Sequence, residues 1–186
     1  MIGYLEFILI TSFMVISYHI IAMKYIRSTG FSSSSSGSQL FLVGIHVIIV
    51  ITNIALYFWL ISKDIRAVHD AFRFTGLLVF AIGIFIILWG MYSLSKAVFV
   101  PGKKLIISGP FAIVRHPMYL GGIIGAFGLA LFAGSLLGLV YSFVLALVLS
   151  HISDAEEREL KTRFGDEYIE YMKKVPKIFP FRKKIT

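Results

Sequence analysis

The 186-residue chain contains no cysteine, only five prolines and two tryptophans, and only 15% of its residues are charged. Without cysteine there is no disulfide framework, no thiolate nucleophile and no thiolate metal site. The shortage of charge excludes an ordinary soluble domain, in which about 25% of residues are charged. Apolar surface takes its place: 58% of the residues are hydrophobic and the mean hydropathy is +0.85. A membrane-spanning helix needs about 20 mostly apolar residues, so about 100 residues are committed to lipid and no room remains for a separate soluble domain. The chain therefore reads as a single all-α membrane domain over 1–186. Its net charge of +8 sits in loops and tail beside apolar runs, which suits anionic lipid headgroups and does not suit nucleic acid.

Apolar runs place the spans. The first extends from Phe7 to Ile26, too long and wrongly flanked for a cleaved signal peptide. A serine run from Ser32 to Ser36 connects it to a second run, Leu40 to Ile61. The polar stretch Ser62 to Arg73 leads to a third, Phe74 to Leu94. Two shorter apolar segments, Leu120 to Phe132 and Leu136 to Ser150, are joined by Ala133, Gly134 and Ser135, which predicts a tight helical hairpin. Lysine and arginine accumulate in cytoplasmic loops, and five spans with the N-terminus outside satisfy that rule. The inside then holds Lys24, Arg27, Lys96, Lys103, Lys104 and Arg115 together with nine basic residues after Ser150, while the outside holds Lys63, Arg66 and Arg73. The C-terminus is accordingly cytoplasmic. Residues 1–95 supply three spans, and 96–186 carry nearly all the chemistry.

Residues 96–119 are too polar and too often interrupted by glycine and proline to face lipid. Pro110 and Pro117 each suit the first position of a helix. Two helix N-termini so close together would offer free N–H groups and partial positive charge to a carboxylate or phosphate. The plainer alternative is a cytoplasmic loop whose Arg115 and His116 snorkel to the interface.

Beyond the fifth span, Leu160, Phe164, Tyr168 and Tyr171 keep helical spacing and predict a C-terminal amphipathic helix. Glu156 and Glu157 would lie in its first turn, where acids complement the helix dipole. Alternatively, a carboxylate at the point where span five leaves the bilayer would bind an ammonium or act on a substrate proton. Gly121, Gly122, Gly125 and Gly128 suit close helix packing. His19, His46 and Asn53 lie inside the first two spans without a carboxylate at ligand spacing, so they read as interhelical hydrogen-bonding groups and no metal site is expected. His69 falls in a polar loop.

The run Gly109-Pro110-Phe111-Ala112-Ile113-Val114-Arg115-His116-Pro117-Met118-Tyr119-Leu120-Gly121 is followed, one hairpin later, by Glu156 and Glu157, then Phe164, Gly165, Tyr168, Tyr171, Val175 and Pro176. The paired pattern resembles the isoprenylcysteine carboxyl methyltransferase family over about residues 96–182. Added to the five transmembrane helices and C-terminal amphipathic helix read above, the resemblance implies a cofactor pocket roofed by the loop between spans three and four and by the C-terminal helix. It implies S-adenosyl-L-methionine as methyl donor and S-adenosyl-L-homocysteine as product. By position, Lys103, Lys104, Leu105, Ile106, Phe111, His116, Pro117, Met118 and Tyr119 would line the cofactor with Glu157, and Glu156 and Arg115 would serve the reacting groups. Many members carry an arginine four residues before the glutamate pair; here that position is Ile152, with His151 beside it.

What the resemblance implies is chemically coherent. Methyl transfer to a carboxylate needs no general base, because a carboxyl of pKa about 3.5 is already ionised at neutral pH, and positioning is then the main catalytic effect. An amine acceptor must lose a proton, and Glu156 or Glu157 would serve as its base. The acceptors implied are lipophilic: a prenylated cysteine-type carboxylate first, a phospholipid amine second. Two further readings are a nicotinamide-dependent sterol-type reductase, which carries a similar Arg-His-Pro string, and a helical membrane scaffold without enzymatic activity.

Overall fold

A computed structural model describes residues 54–65, 69–98 and 105–180, with side chains omitted at 96–98. The expected first span, the serine connection, most of the second span, and His19, His46, Asn53, Lys103 and Lys104 lie outside the described residues. Within them the protein is all-helical, without strands. The elements are α1 (Ile54–Lys63), α2 (Asp70–Val98), a 3-10 turn (Gly109–Ala112), α3 (Pro117–Ala133), α4 (Leu136–Phe164) and α5 (Asp166–Lys174).

Two of these helices, α2 and α4, are long and apolar enough to cross a membrane; α1 and α3 are shorter apolar helices. At 1.5 Å per residue, the 29 residues of α2 extend about 43 Å, more than the roughly 30 Å hydrocarbon layer. Only 17% of the most apolar stretch of α2 and 33% of that of α4 is buried inside the protein. Phe85, Leu88, Phe143 and Leu147 are among the exposed large side chains. Apolar helices this open are not the core of a soluble protein, and the molecule associates with a membrane.

Glycines bring α2 and α3 together. Gly76, Gly83 and Gly90 recur every seventh residue on α2 and meet Gly128, Gly121/Gly125 and Met118 of α3, so the two helices run antiparallel. A Cβ on Gly83 would lie 2.6 Å from the carbonyl oxygen of Gly121, and one on Gly121 would lie 2.7 Å from that of Gly83. Backbone-to-backbone approach of this kind replaces the driving force that lipid does not supply.

The hairpin expected at Ala133–Ser135 is present. Gly134 ends α3 in the left-handed region, at φ 65°, and its N–H reaches the carbonyls of Ala130 and Leu131. Ser135 then caps α4, its hydroxyl accepting from the Gly138 N–H at 2.9 Å. Asp64, just past α1, accepts from the Leu137 N–H at 2.9 Å and fastens α1 to the hairpin. Leu56, Tyr57, Leu60 and Ile61 of α1 form a core with Tyr141 of α4. At the start of α2, the His69 ring accepts from the Ala71 N–H at 3.2 Å, a capping role for a residue that reads as an ordinary loop position.

At the C-terminal side the structure departs from the expected pattern. The fifth span and the amphipathic helix were to separate near Ser150, but α4 continues unbroken to Phe164. No glycine or proline lies between Ser150 and Phe164, and Ala155, Glu156, Glu157, Glu159, Leu160 and Lys161 all favour helix. The break falls at Gly165, whose φ of 56° and ψ of −130° suit glycine alone, and α5 follows. Glu156 and Glu157 therefore lie far inside a helix rather than in a first turn, and dipole complementation does not account for them.

Candidate active site

The polar residues gather where α3 begins, at the end of the helix pair opposite the hairpin. Pro117 occupies the first turn of α3 and Pro110 the start of the 3-10 turn, as their spacing predicts. The turn is four residues long; α3 is the one full helix that starts here. Between them the chain places Arg115 and His116 against α4 and the tail.

Arg115 is directed entirely into the protein. Its Nε donates to Glu157 Oε1 at 2.8 Å, a second guanidinium nitrogen lies 2.7 Å from the same oxygen, and the third donates to the carbonyls of Met172 at 3.1 Å and Val175 at 2.5 Å. Its side chain and that of Glu157 are 9% and 7% exposed. One guanidinium thus ties the loop before α3 to α4 and to the end of α5. The backbone repeats the connection: the N–H of Arg115 donates to the Pro176 carbonyl at 2.9 Å and that of His116 to the Lys177 carbonyl at 3.0 Å.

His116 lies between the two glutamates, Nε2 at 3.3 Å from Glu157 Oε1 and Nδ1 at 3.5 Å from Glu156 Oε2. Burial works against a charge on its ring, but hydrogen bonds to Glu156 and Glu157 and their negative charge outweigh it and raise its pKa above 6.5. One turn along α3, the ring of Tyr119 stacks on His116 at 5.5 Å with 6° between planes, and its hydroxyl donates to Glu156. Glu156 remains 32% exposed whereas Glu157 is closed off. Of the two acids, Glu156 is the one a ligand can reach.

Leu105 forms a buried cluster with Tyr168 and Tyr171, against which Leu160, Phe164, Met172 and Val175 pack. The Tyr171 hydroxyl donates to the Phe111 carbonyl at 2.6 Å, and burial pushes its pKa up to about 12. Ile106 is half-buried and Pro117 fully buried. Met118 turns toward Gly90 of α2 and so toward helix packing. The structure therefore brings together Leu105, Phe111, Arg115, His116, Tyr119, Glu156 and Glu157. Ile152 is buried, and a basic group absent from the expected set appears nearby: Lys177 Nζ donates to Asp154 Oδ1 and to the Ser150 carbonyl, both at 2.7 Å. Nothing in local spacing marks Lys177, because its partners lie on another helix.

A groove of about 420 Å3 opens between α3 and α4. Ile123, Phe127, Phe143 and Leu147 form its apolar walls, and Ser150 and Phe179 also line it.

A membrane-associated helical protein with paired glutamates facing an Arg-His-Pro turn is the class this geometry defines. The phospholipid methyltransferase family model matches residues 71–182, and the chain belongs to that family. It is 40% identical over 77 residues to a protein-S-isoprenylcysteine O-methyltransferase of Schizosaccharomyces pombe, covering 41% of this chain and 33% of that protein. It is 33% identical over 88 residues to the cobalt-zinc-cadmium resistance protein CzcN of Cupriavidus metallidurans, covering 45% of this chain and 40% of that protein. It is 36% identical over 83 residues to a Delta(14)-sterol reductase of Mus musculus, covering 43% of this chain and 20% of that protein. The resemblance to isoprenylcysteine methyltransferases is thus borne out, over less than half the length of each relative. No solved structure matches the chain.

Proposed function

We propose that the protein is an S-adenosyl-L-methionine-dependent methyltransferase that methylates the carboxylate of a lipophilic acceptor of the prenylated-cysteine type at the cytoplasmic face. One observation carries the reading: His116 and Tyr119, the latter 37 positions away in sequence, converge on the partly open carboxylate of Glu156, and an apolar groove runs between the same two helices, α3 and α4. When bound, the donor supplies an electrophilic methyl group on a cationic sulfur. Glu156 gives the site a reachable negative charge for such a cation, and the stacked rings of His116 and Tyr119 hold its carboxylate in place. The Tyr168 hydroxyl, buried without a hydrogen-bond partner among the described residues and under the charges of Glu157 and Arg115, is the kind of orphaned polar group that a bound ligand satisfies. Leu105 packs with Tyr168; in this reading Ile106, Phe111 and Pro117 add apolar surface for the donor, and Lys103 and Lys104 precede them in sequence.

Arg115 acts by position in this reading. With every guanidinium nitrogen engaged, it holds Glu157 and the tail, and the reacting groups fall to Glu156. A carboxylate acceptor needs no base, so the chain's contribution is alignment and exclusion of water. The groove holds the acceptor's lipid chain, which arrives sideways from the bilayer. The basic segments on the site side agree with a cytoplasmic C-terminus, five spans and an outside N-terminus.

Calorimetry tests the donor. S-adenosylhomocysteine binds the wild-type protein, and Tyr119→Ala or His116→Ala abolishes binding; unchanged affinity in both variants rejects the site. The family description favours a second acceptor, a phospholipid amine, for which Glu156 becomes the base. Transfer of labelled methyl groups to prenylcysteine and lipid-amine acceptors separates the two, since a methyl ester is lost in mild base and a methylamine is not. The sterol-reductase relative favours a nicotinamide cofactor, and binding of nicotinamide dinucleotide in place of S-adenosylhomocysteine would establish it. Binding of neither donor supports the scaffold reading.

A further inference from the structure

We propose that Lys177 is the specificity-determining cation for the acceptor's anionic head group, beside the groove between α3 and α4. The inference rests on the methyltransferase reading and assigns a residue that its motifs leave out.

The groove has apolar walls along α3 and α4, and the tail borders it. Ser150 and Phe179 both line the groove, and Lys177 is held next to them without lining it: its Nζ is 2.7 Å from the Ser150 carbonyl, and Phe179 follows two residues later. A positive charge therefore stands against a residue that lines the groove, on the same strap whose backbone holds His116. That arrangement fits an amphiphile with a hydrocarbon chain and a negative head. An ammonium has three N–H donors, and two are used among the described residues, on Ser150 and Asp154. The third is left for a ligand. Asp154 is 51% exposed in the pair, so water screens it and an incoming carboxylate can compete for the lysine.

The backbone of Lys177 links the groove to the site, because its carbonyl accepts from the His116 N–H. A head group held by its ammonium is thereby placed on the same strap that anchors His116, and Glu156 lies between Asp154 and the end of α4. Lys177 is a binding residue for the acceptor and takes no part in moving a proton.

The test is direct binding of N-acetyl-S-farnesylcysteine, which carries only the carboxylate charge, and of its neutral carboxamide to the full-length protein in nanodiscs, without donor. The wild-type protein prefers the carboxylate over the amide. Lys177→Gln lowers that ratio about tenfold, the loss of one charge-assisted hydrogen bond; Lys177→Arg keeps it, and Asp154→Asn raises it. A lysine that merely braces the tail would weaken both ligands equally, and an unchanged ratio in Lys177→Gln overturns the proposal. A wild-type protein without preference, or an Asp154→Asn ratio that falls, also overturns it, the latter pointing to a cationic head group. The donor reading fails separately, by absence of S-adenosylhomocysteine binding to the wild-type protein.

Discussion

Arg115 and Glu157 are 42 positions apart in sequence, and their side chains meet at 2.7 Å with less than a tenth of either exposed. The contact joins the loop before α3 to the C-terminal third of α4, and the same guanidinium reaches the end of α5. Removing either partner strands a charge in a poorly hydrated place, which costs about 3–5 kcal/mol where a pair is buried. Arg115→Met and Glu157→Leu are each expected to lower the thermal unfolding midpoint in detergent sharply. The double variant should recover part of the loss, and midpoints that simply add would show that the pair is not coupled.

His116 predicts a pH dependence. Its pKa is raised in the folded protein, so the native state holds the proton more tightly than the unfolded chain. That stabilisation is complete below the unfolded value of about 6.5 and disappears as pH climbs through the native value. The unfolding midpoint should therefore fall as pH rises above about 6.5. His116→Gln is expected to remove that slope, measured by differential scanning fluorimetry at matched ionic strength.

Two glycines on neighbouring helices give opposite expectations. At Gly83 a Cβ would sit 2.6 Å from a backbone carbonyl of α3, so Gly83→Ala must push the helices apart. At Gly122 nothing lies within 4 Å, and Gly122→Ala should be neutral or stabilising by about 0.5–1 kcal/mol through reduced backbone freedom. The yield of monodisperse protein and its unfolding midpoint report both; equal behaviour would contradict the close α2–α3 packing.

Leu147 lines the groove and is 58% exposed, so a larger side chain there narrows the groove without disturbing a packed interior. Leu147→Trp is expected to raise KM for a long-chain acceptor several-fold and to leave S-adenosylhomocysteine affinity as it was. An effect confined to donor affinity would remove the groove from the acceptor's path.

Some of these features are visible in one dimension and others are not. Pro117 marks a helix start, and Ala133, Gly134 and Ser135 mark a hairpin, because caps and left-handed turns are decided within a few residues. The seven-residue recurrence of Gly76, Gly83 and Gly90 is equally visible and would have singled out the packed face of α2. The end of α4 is harder to read. A change from apolar to charged residues at Ser150 marks where the chain leaves lipid, but backbone hydrogen bonding carries the helix on until Gly165 ends it. Polarity and helix length are separate quantities, and the sequence shows them at different positions.

Composition, apolar runs and the Arg-His-Pro and Glu-Glu strings determined by themselves that this is a helical, membrane-associated chain resembling the isoprenylcysteine carboxyl methyltransferases. Tertiary structure alone decided that Glu157 is closed off by Arg115 while Glu156 stays within reach, and that the Lys177 ammonium is held on the carbonyl of Ser150, a groove residue. Local signals follow from sterics and hydrogen bonds between near neighbours, which the sequence spells out directly. Which of two adjacent acids stays exposed depends on the rotation of α4 against α3, and that rotation is set by interlocking contacts spread over several helices.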